Sequence, residues 1–262
     1  SADWLPILTQ HRVFDSKTVS PSRWIGARID DPDVIRACAA LATLDDQSVW
    51  FIERALEKDQ ASLSPARRKA WRMILRSKRW HSNESADTRW FDAALQIKAG
   101  DAGFASRQVV AAMLRPSLVV ERMFRWSEEP DPKGPETMHD LLRLDFKATR
   151  YPPPNEILDA WPTVTEHEVA LFKTLDRALI DALEEAEDAG FLSDWDRADH
   201  NVPSVARHTQ NEHHSGFYPI VRALADLWDR IAAKDASLIR PHVIEWAASR
   251  FPLLQRLALY AM

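Results

Sequence analysis

The stretch RHTQNEHHSGF, residues 207–217, gathers three histidines, a Gln-Asn pair and a glutamate, and with His200 it sets four imidazoles within fifteen residues. Imidazole titrates near neutral pH and is a common metal ligand, so acid-base catalysis and metal binding are the chemistries to weigh. Ligands on one helical face recur three or four residues apart. At about 100° per residue, His208 and His213 stand about 140° apart on a helix, and His213 and His214 about 100°. No HExxH or CxxC pair accompanies them. We read His208, His213 and His214, with Gln210 and Asn211 between them, as a group that hydrogen-bonds between helices. No metal ligand and no catalytic residue is assigned.

A second concentration of chemistry is SPARRKAWRMILRSKRWHS (64–82), where Arg67, Arg68, Lys69, Arg72, Arg76, Lys78 and Arg79 are interleaved with Trp71 and Trp80. Cations that neutralise phosphates beside aromatics that stack on bases make a single-strand platform. Arg68, Arg72, Arg76 and Arg79 nevertheless form one stripe, and Ala66, Ala70, Met73, Ile74 and Ser77 another, as in any amphipathic helix. The expected role is a solvated face, with docking of a protein on those four arginines as the alternative. The acidic run EEAED (184–188) is expected to be a solvated helix end. Neither GxSxG, GxxxxGK[ST] nor GxGxxG occurs, so no cofactor is expected.

A net charge of −5 gives no global attraction to nucleic acid or to an acidic membrane, which leaves a protein as the expected partner. No apolar run approaches the ~18 residues of a membrane span, and no signal peptide opens the sequence, so a cytoplasmic location is expected. The single cysteine, Cys38, lies in the apolar run VIRACAALATL and is expected to be buried and inert.

The elements that must hold these residues are predicted to be helices. Only 6 glycines stand among 262 residues, too few for a fold of tight hairpins or a nucleotide loop. Asp31-Pro32 and Ser64-Pro65 each place a capping residue before a proline in the first turn. TEHEVALFKTLDRALIDALEEAEDAG (165–190) predicts a helix with Thr165 and Glu168 as a capping box, a buried stripe of Phe172, Leu175, Leu179 and Leu183, and Gly190 as terminator. GFYPIVRALADLWDRIAA (216–233) predicts another, with Ile220, Leu224, Leu227, Trp228 and Ile231 on one face and Arg222, Asp226, Asp229 and Arg230 on the other. Helix starts near Pro219, Asp235 and Pro252 give a two-helix unit of about 33 residues, within the range of stacked helical repeats.

The expected architecture is all-α, stacked antiparallel helix pairs in an irregular HEAT-like or TPR-like solenoid of roughly a dozen helices. Its parts are an N-terminal helical half (1–126), a Pro-rich connection (127–164) and a C-terminal helical half (165–262). The connection holds 7 of the 16 prolines and the triplet at 152–154, so it cannot be one helix, and LLRLDF (141–146) within it is read as a short helix or strand. The run LLQRLALYAM stays in helical register without a cap, which suggests further repeats beyond it.

With those residues identified, 202–261 resembles a segment of large bacterial signal-transducing P-loop ATPases of the STAND class, several of which act in antiphage defence. In that family a His-x-Gln-Asn stretch precedes helical pairs ending in an Arg-Leu-Ala-Leu-x-Ala run. The matching residues are His208, Gln210 and Asn211, then Arg256, Leu257, Ala258, Leu259 and Ala261. DWLPIL and residues 32–58 are more loosely similar to repeats of the same proteins. The resemblance implies a helical sensor or scaffold that lies beyond an ATPase module and binds an invader's protein without catalysis. In it, the Gln-Asn-His cluster would cap and cross-link neighbouring helices. Two rivals remain open: an architectural spacer, and a helical enzyme using the His200–His214 group as acid and base.

Overall fold

In a computed structural model the chain is mostly helical, with a single two-stranded ribbon among the described residues. The structure describes residues 21–41, 44, 46–58, 63–78, 86–122, 137–148, 153–192, 202, 204–208 and 216–262. They fold into two compact units, each assembled from separate stretches of chain. The first takes residues 1–82 with 118–145, the second 83–117 with 146–262.

The first unit contains α1 (Pro21–Gly26), α2 (Pro32–Ala40), α3 (Asp46–Lys58) and α4 (Pro65–Lys78). Asp31 caps α2 by accepting from the Asp33 amide at 2.9 Å, and Ser64 Oγ accepts from the Arg67 amide at 3.3 Å ahead of α4. Both starts are those predicted. α1 packs on α3 and α2 on α4, which buries Ile25, Ile35, Cys38, Ile52, Trp71 and Ile74. The Trp71 indole, an interleaved aromatic in the sequence pattern, lies wholly inside and donates to the Ile29 carbonyl at 2.7 Å. It therefore offers no surface for stacking on a base.

Beyond Pro116 the chain leaves helix for strand. β1 (Ser117–Arg122) buries Leu118 and Val120, and β2 (Leu142–Lys147) buries Leu142, Leu144 and Phe146 in strict alternation. Ser117 Oγ donates to the Lys147 carbonyl at 3.3 Å, which sets the start of one strand by the end of the other and makes the pair antiparallel. β1 is a strand within the expected N-terminal helical half (1–126), and in LLRLDF Leu141 ends a helix while residues 142–146 belong to β2. A short α7 (Met138–Leu141) precedes β2 and packs on α2 and α4.

The second unit contains α5 (Ala86–Lys98), α6 (Phe104–Leu114), α8 (Pro154–Ala160), α9 (Thr165–Ala189), α10 (Tyr218–Asp235), a 3-10 turn (Ala236–Leu238), α11 (Arg240–Ala247) and α12 (Pro252–Ala261). α9 buries the predicted stripe and ends at Gly190, whose φ of 75° is the left-handed region that favours glycine. Its start is not the predicted capping box. Val164 is the cap residue, Thr165 is already helical, and Glu168 turns elsewhere. α10 runs antiparallel to α9: Lys234 near its end reaches Glu168 near the start of α9, while Phe191 and Phe217 at the other ends both pack on Phe146.

Burial pushes the Cys38 thiol up to about 12, which leaves almost no thiolate at neutral pH. A chromogenic disulfide reagent at mildly alkaline pH should leave the folded protein unlabelled and titrate one thiol in denaturant. Rapid labelling of the folded chain would contradict the placement of α2.

Candidate functional site

The residues expected to carry chemistry are only partly within the described chain. His208 is exposed, while His200, Gln210, Asn211, His213, His214, Arg79 and Trp80 lie outside the described residues. On α4, Arg72 is exposed, Arg68 is half-buried and Arg76 is placed on the helix. Arg67 of the same basic run turns back to Asp30, meeting its carboxylate at 2.7 Å. Among the described residues no three His, Cys, Asp or Glu side chains converge to hold a metal ion, and no helix is long and apolar enough to cross a membrane.

A buried polar cluster that the sequence reading passed over centres on Asp176. It falls four residues after Phe172 and three before Leu179, on the buried stripe of α9, and is 4% exposed. A carboxylate there must find donors, because an unpaired buried charge is costly. Trp246 Nε1 donates to Oδ1 at 2.6 Å, and His242 Nδ1 meets Oδ2 at 2.7 Å. Phe172 stands edge-on to the His242 ring at 5.6 Å and tilted to Trp246 at 5.5 Å. His242 and Trp246 are one turn apart on α11, so a single carboxylate holds that helix to α9 at two points. An aspartate on Nδ1 of histidine is also the orienting half of a hydrolytic triad. The described contacts around it are packing contacts, and they make the trio a tie between helices.

Two further ties share this logic. Glu168, 1% exposed, accepts from Lys234 Nζ at 2.6 Å, and the same ammonium reaches the Thr163 carbonyl at 2.9 Å. Arg222 and Asp226, assigned by the sequence to a solvated face of α10, are in fact buried and hydrogen-bonded to each other. Arg222 also donates to the Val205 carbonyl at 2.9 Å, and Arg207 reaches Asp226 at 3.1 Å. These bonds fasten residues 205–207, at the start of the histidine-rich stretch, onto α10. Burial opposes the Arg222 charge, but bonding and attraction from Asp226 outweigh it and hold the guanidinium pKa above its usual value. Glu185 departs from the expected solvated run as well, since it is buried against Arg115 at 2.8 Å.

Burial pushes the Asp176 carboxyl above its ordinary value of 3.8, against the opposing pull of Trp246 and His242, and Glu245 adds to the rise. The folded chain therefore keeps this proton to higher pH than the unfolded chain. Between the two values stability falls as pH rises, because the folded state binds more protons. Asp176→Asn, which retains an acceptor for Trp246, should flatten that fall when urea midpoints are measured at a series of pH values upward from about 4. Parallel pH profiles for the two proteins would contradict the assignment.

Comparison with known proteins adds one distant likeness. The chain is 25% identical over 244 residues to an uncharacterized protein, y4cA, of Sinorhizobium fredii; the match covers 92% of this chain and 20% of that protein. This chain thus spans about a fifth of the length of the curated relative it matches. No family model and no solved structure matches it.

Proposed function

We propose that this chain is a protein-recognition region, an irregular stack of helix pairs, within a large cytoplasmic bacterial ATPase of the STAND class that acts in antiphage defence. It binds protein and catalyses no reaction. Its partner is a phage protein or another domain of the same polypeptide. The observation that carries this reading is a division of labour among the described side chains. Trp71 in the first unit, and Glu168, Asp176, Arg222, Asp226 and Trp246 in the second, spend their polar atoms on ties within their own unit. Large apolar side chains are meanwhile left in solvent: Trp50 at 49% in the first unit, Phe104 at 70% and Ile244 at 64% in the second.

Exposed aromatics of that size favour recognition over a spacer. Arg54 lies over the Trp50 ring at 5.1 Å, a pair of residue types enriched at binding hot spots. Arg72, with Arg68 beside it on α4, forms a further docking face in this reading. The likeness to a fifth of a long bacterial protein supports a region that works inside a longer polypeptide.

A photo-crosslinking residue placed at Trp50 or Ile244 of the protein in its native host tests this reading. Phage infection should produce a new protein adduct from at least one position. Adducts identical with and without infection would contradict the sensor role.

A further inference from the structure

A groove in the second unit lies between α9 and the junction of α11 with α12, and its volume is about 410 Å³. That size falls in the ~300–1,000 Å³ range of clefts that take a ligand. Its walls are of two kinds. Ile180 and Ala248 give it apolar surface above the buried Trp246 and Phe251, whereas Glu184 on α9 and Glu245 on α11 supply carboxylates. Glu187 and Asp188 stand exposed on the same helix end as Glu184.

One cation answers these charges from within. Arg250 forks onto Glu187, Nε to Oε1 at 3.2 Å and a terminal nitrogen to Oε2 at 2.6 Å, and its guanidinium lies over the Phe251 ring at 4.6 Å. Glu184 and Asp188 also act on it electrostatically. Other arginines on or against α9 are engaged: Arg177 with Asp181 at 3.0 Å and Arg115 with Glu185 at 2.8 Å. Among the described residues, neither Glu184 nor Glu245 hydrogen-bonds to a cation. Three carboxylates, those of Glu184, Glu187 and Asp188, thus act on one guanidinium, and Glu245 adds a fourth negative charge to the groove from α11.

We propose that this groove docks a basic segment of a protein partner, an arginine or lysine side chain lying along Ile180 and Ala248 with its charged end toward Glu184 and Glu245. The inference rests on the recognition reading and deepens it by naming the chemistry of the partner. An acidic segment or a nucleic acid is repelled by the same carboxylates. The attraction acts through an exposed rim, so it is sensitive to salt.

The probe is a fluorescein-labelled peptide of alternating arginine and leucine, followed by anisotropy on the whole chain at low salt. Saturable binding is expected, with affinity about tenfold weaker after Glu184→Gln with Glu245→Gln, and similar loss when Ser249→Trp fills the groove. Glu166→Gln, at the far end of α9, should change nothing, and circular dichroism should show every variant folded. Binding of an alternating glutamate-leucine peptide with equal affinity, no binding of the arginine peptide, or indifference to both groove variants would each overturn the proposal. The two readings separate in the infected host. An infection-dependent adduct that persists undiminished in the Glu184→Gln, Glu245→Gln protein sinks the groove and spares the recognition reading, and absence of any such adduct in the unaltered protein sinks the latter.

Discussion

A charge inside a helix bundle is tolerated only where donors reach it, and the second unit is arranged around that requirement. Asp176 sits midway along the buried face of a 25-residue helix, where any other wall of the bundle could be aliphatic. Its two oxygens hold α11 at two points, one meeting the Trp246 indole N–H and the other the His242 imidazole one turn earlier. Hydrophobic burial alone would let α11 slide or rotate on α9 at little cost. The carboxylate makes the arrangement single-valued.

From that contact the surroundings follow. With α11 held, the turn at Ser249–Phe251 places α12 against α10, where Tyr260 donates to Asp229 at 2.7 Å. The same C-terminal part of α10 is also held by Lys234 on Glu168 and by Arg230 on the Leu158 carbonyl at 2.7 Å. The Lys234–Glu168 and Arg230–Leu158 ties are partly shielded from solvent, so each is worth more than an exposed ion pair, and removing one partner alone would strand a charge. The same polar residues that would catch the eye as chemistry are the ones that locate helices. What faces solvent is carbon and unspent charge, and the groove beside Trp246 combines the two.

The sequence makes some of this legible and hides the rest for definable reasons. Asp31-Pro32, Ser64-Pro65, the stripe of α9 and its glycine stop are local signals, and local physics decides them. Asp176 was also legible, as a charge inside an apolar stripe, although not its partners 66 and 70 residues away. Glu168 was misread as a cap because three-residue spacing from Thr165 satisfies the motif, while the lysine that claims it lies 66 residues on. Arg222 and Asp226 looked solvated because charge usually is; their mutual bond permits burial. β1 was invisible because six residues of mixed apolar character fit helix or strand, and only pairing with β2 decides between them. Within the histidine-rich stretch the described part shows an exposed His208, after a segment bound down by Arg222.

The central claim is that buried polar groups here act as ties between helices, and a double-mutant cycle on Asp176 and Trp246 tests it most directly. Asp176→Ala, which removes the acceptor, Trp246→Phe, which removes the donor, and the double variant would be compared by urea unfolding. A tie predicts a coupling free energy of about 1–3 kcal/mol, the double variant losing less stability than the sum of the single ones. Additivity within about 0.3–0.5 kcal/mol would show that the two side chains do not depend on each other, and would contradict the account.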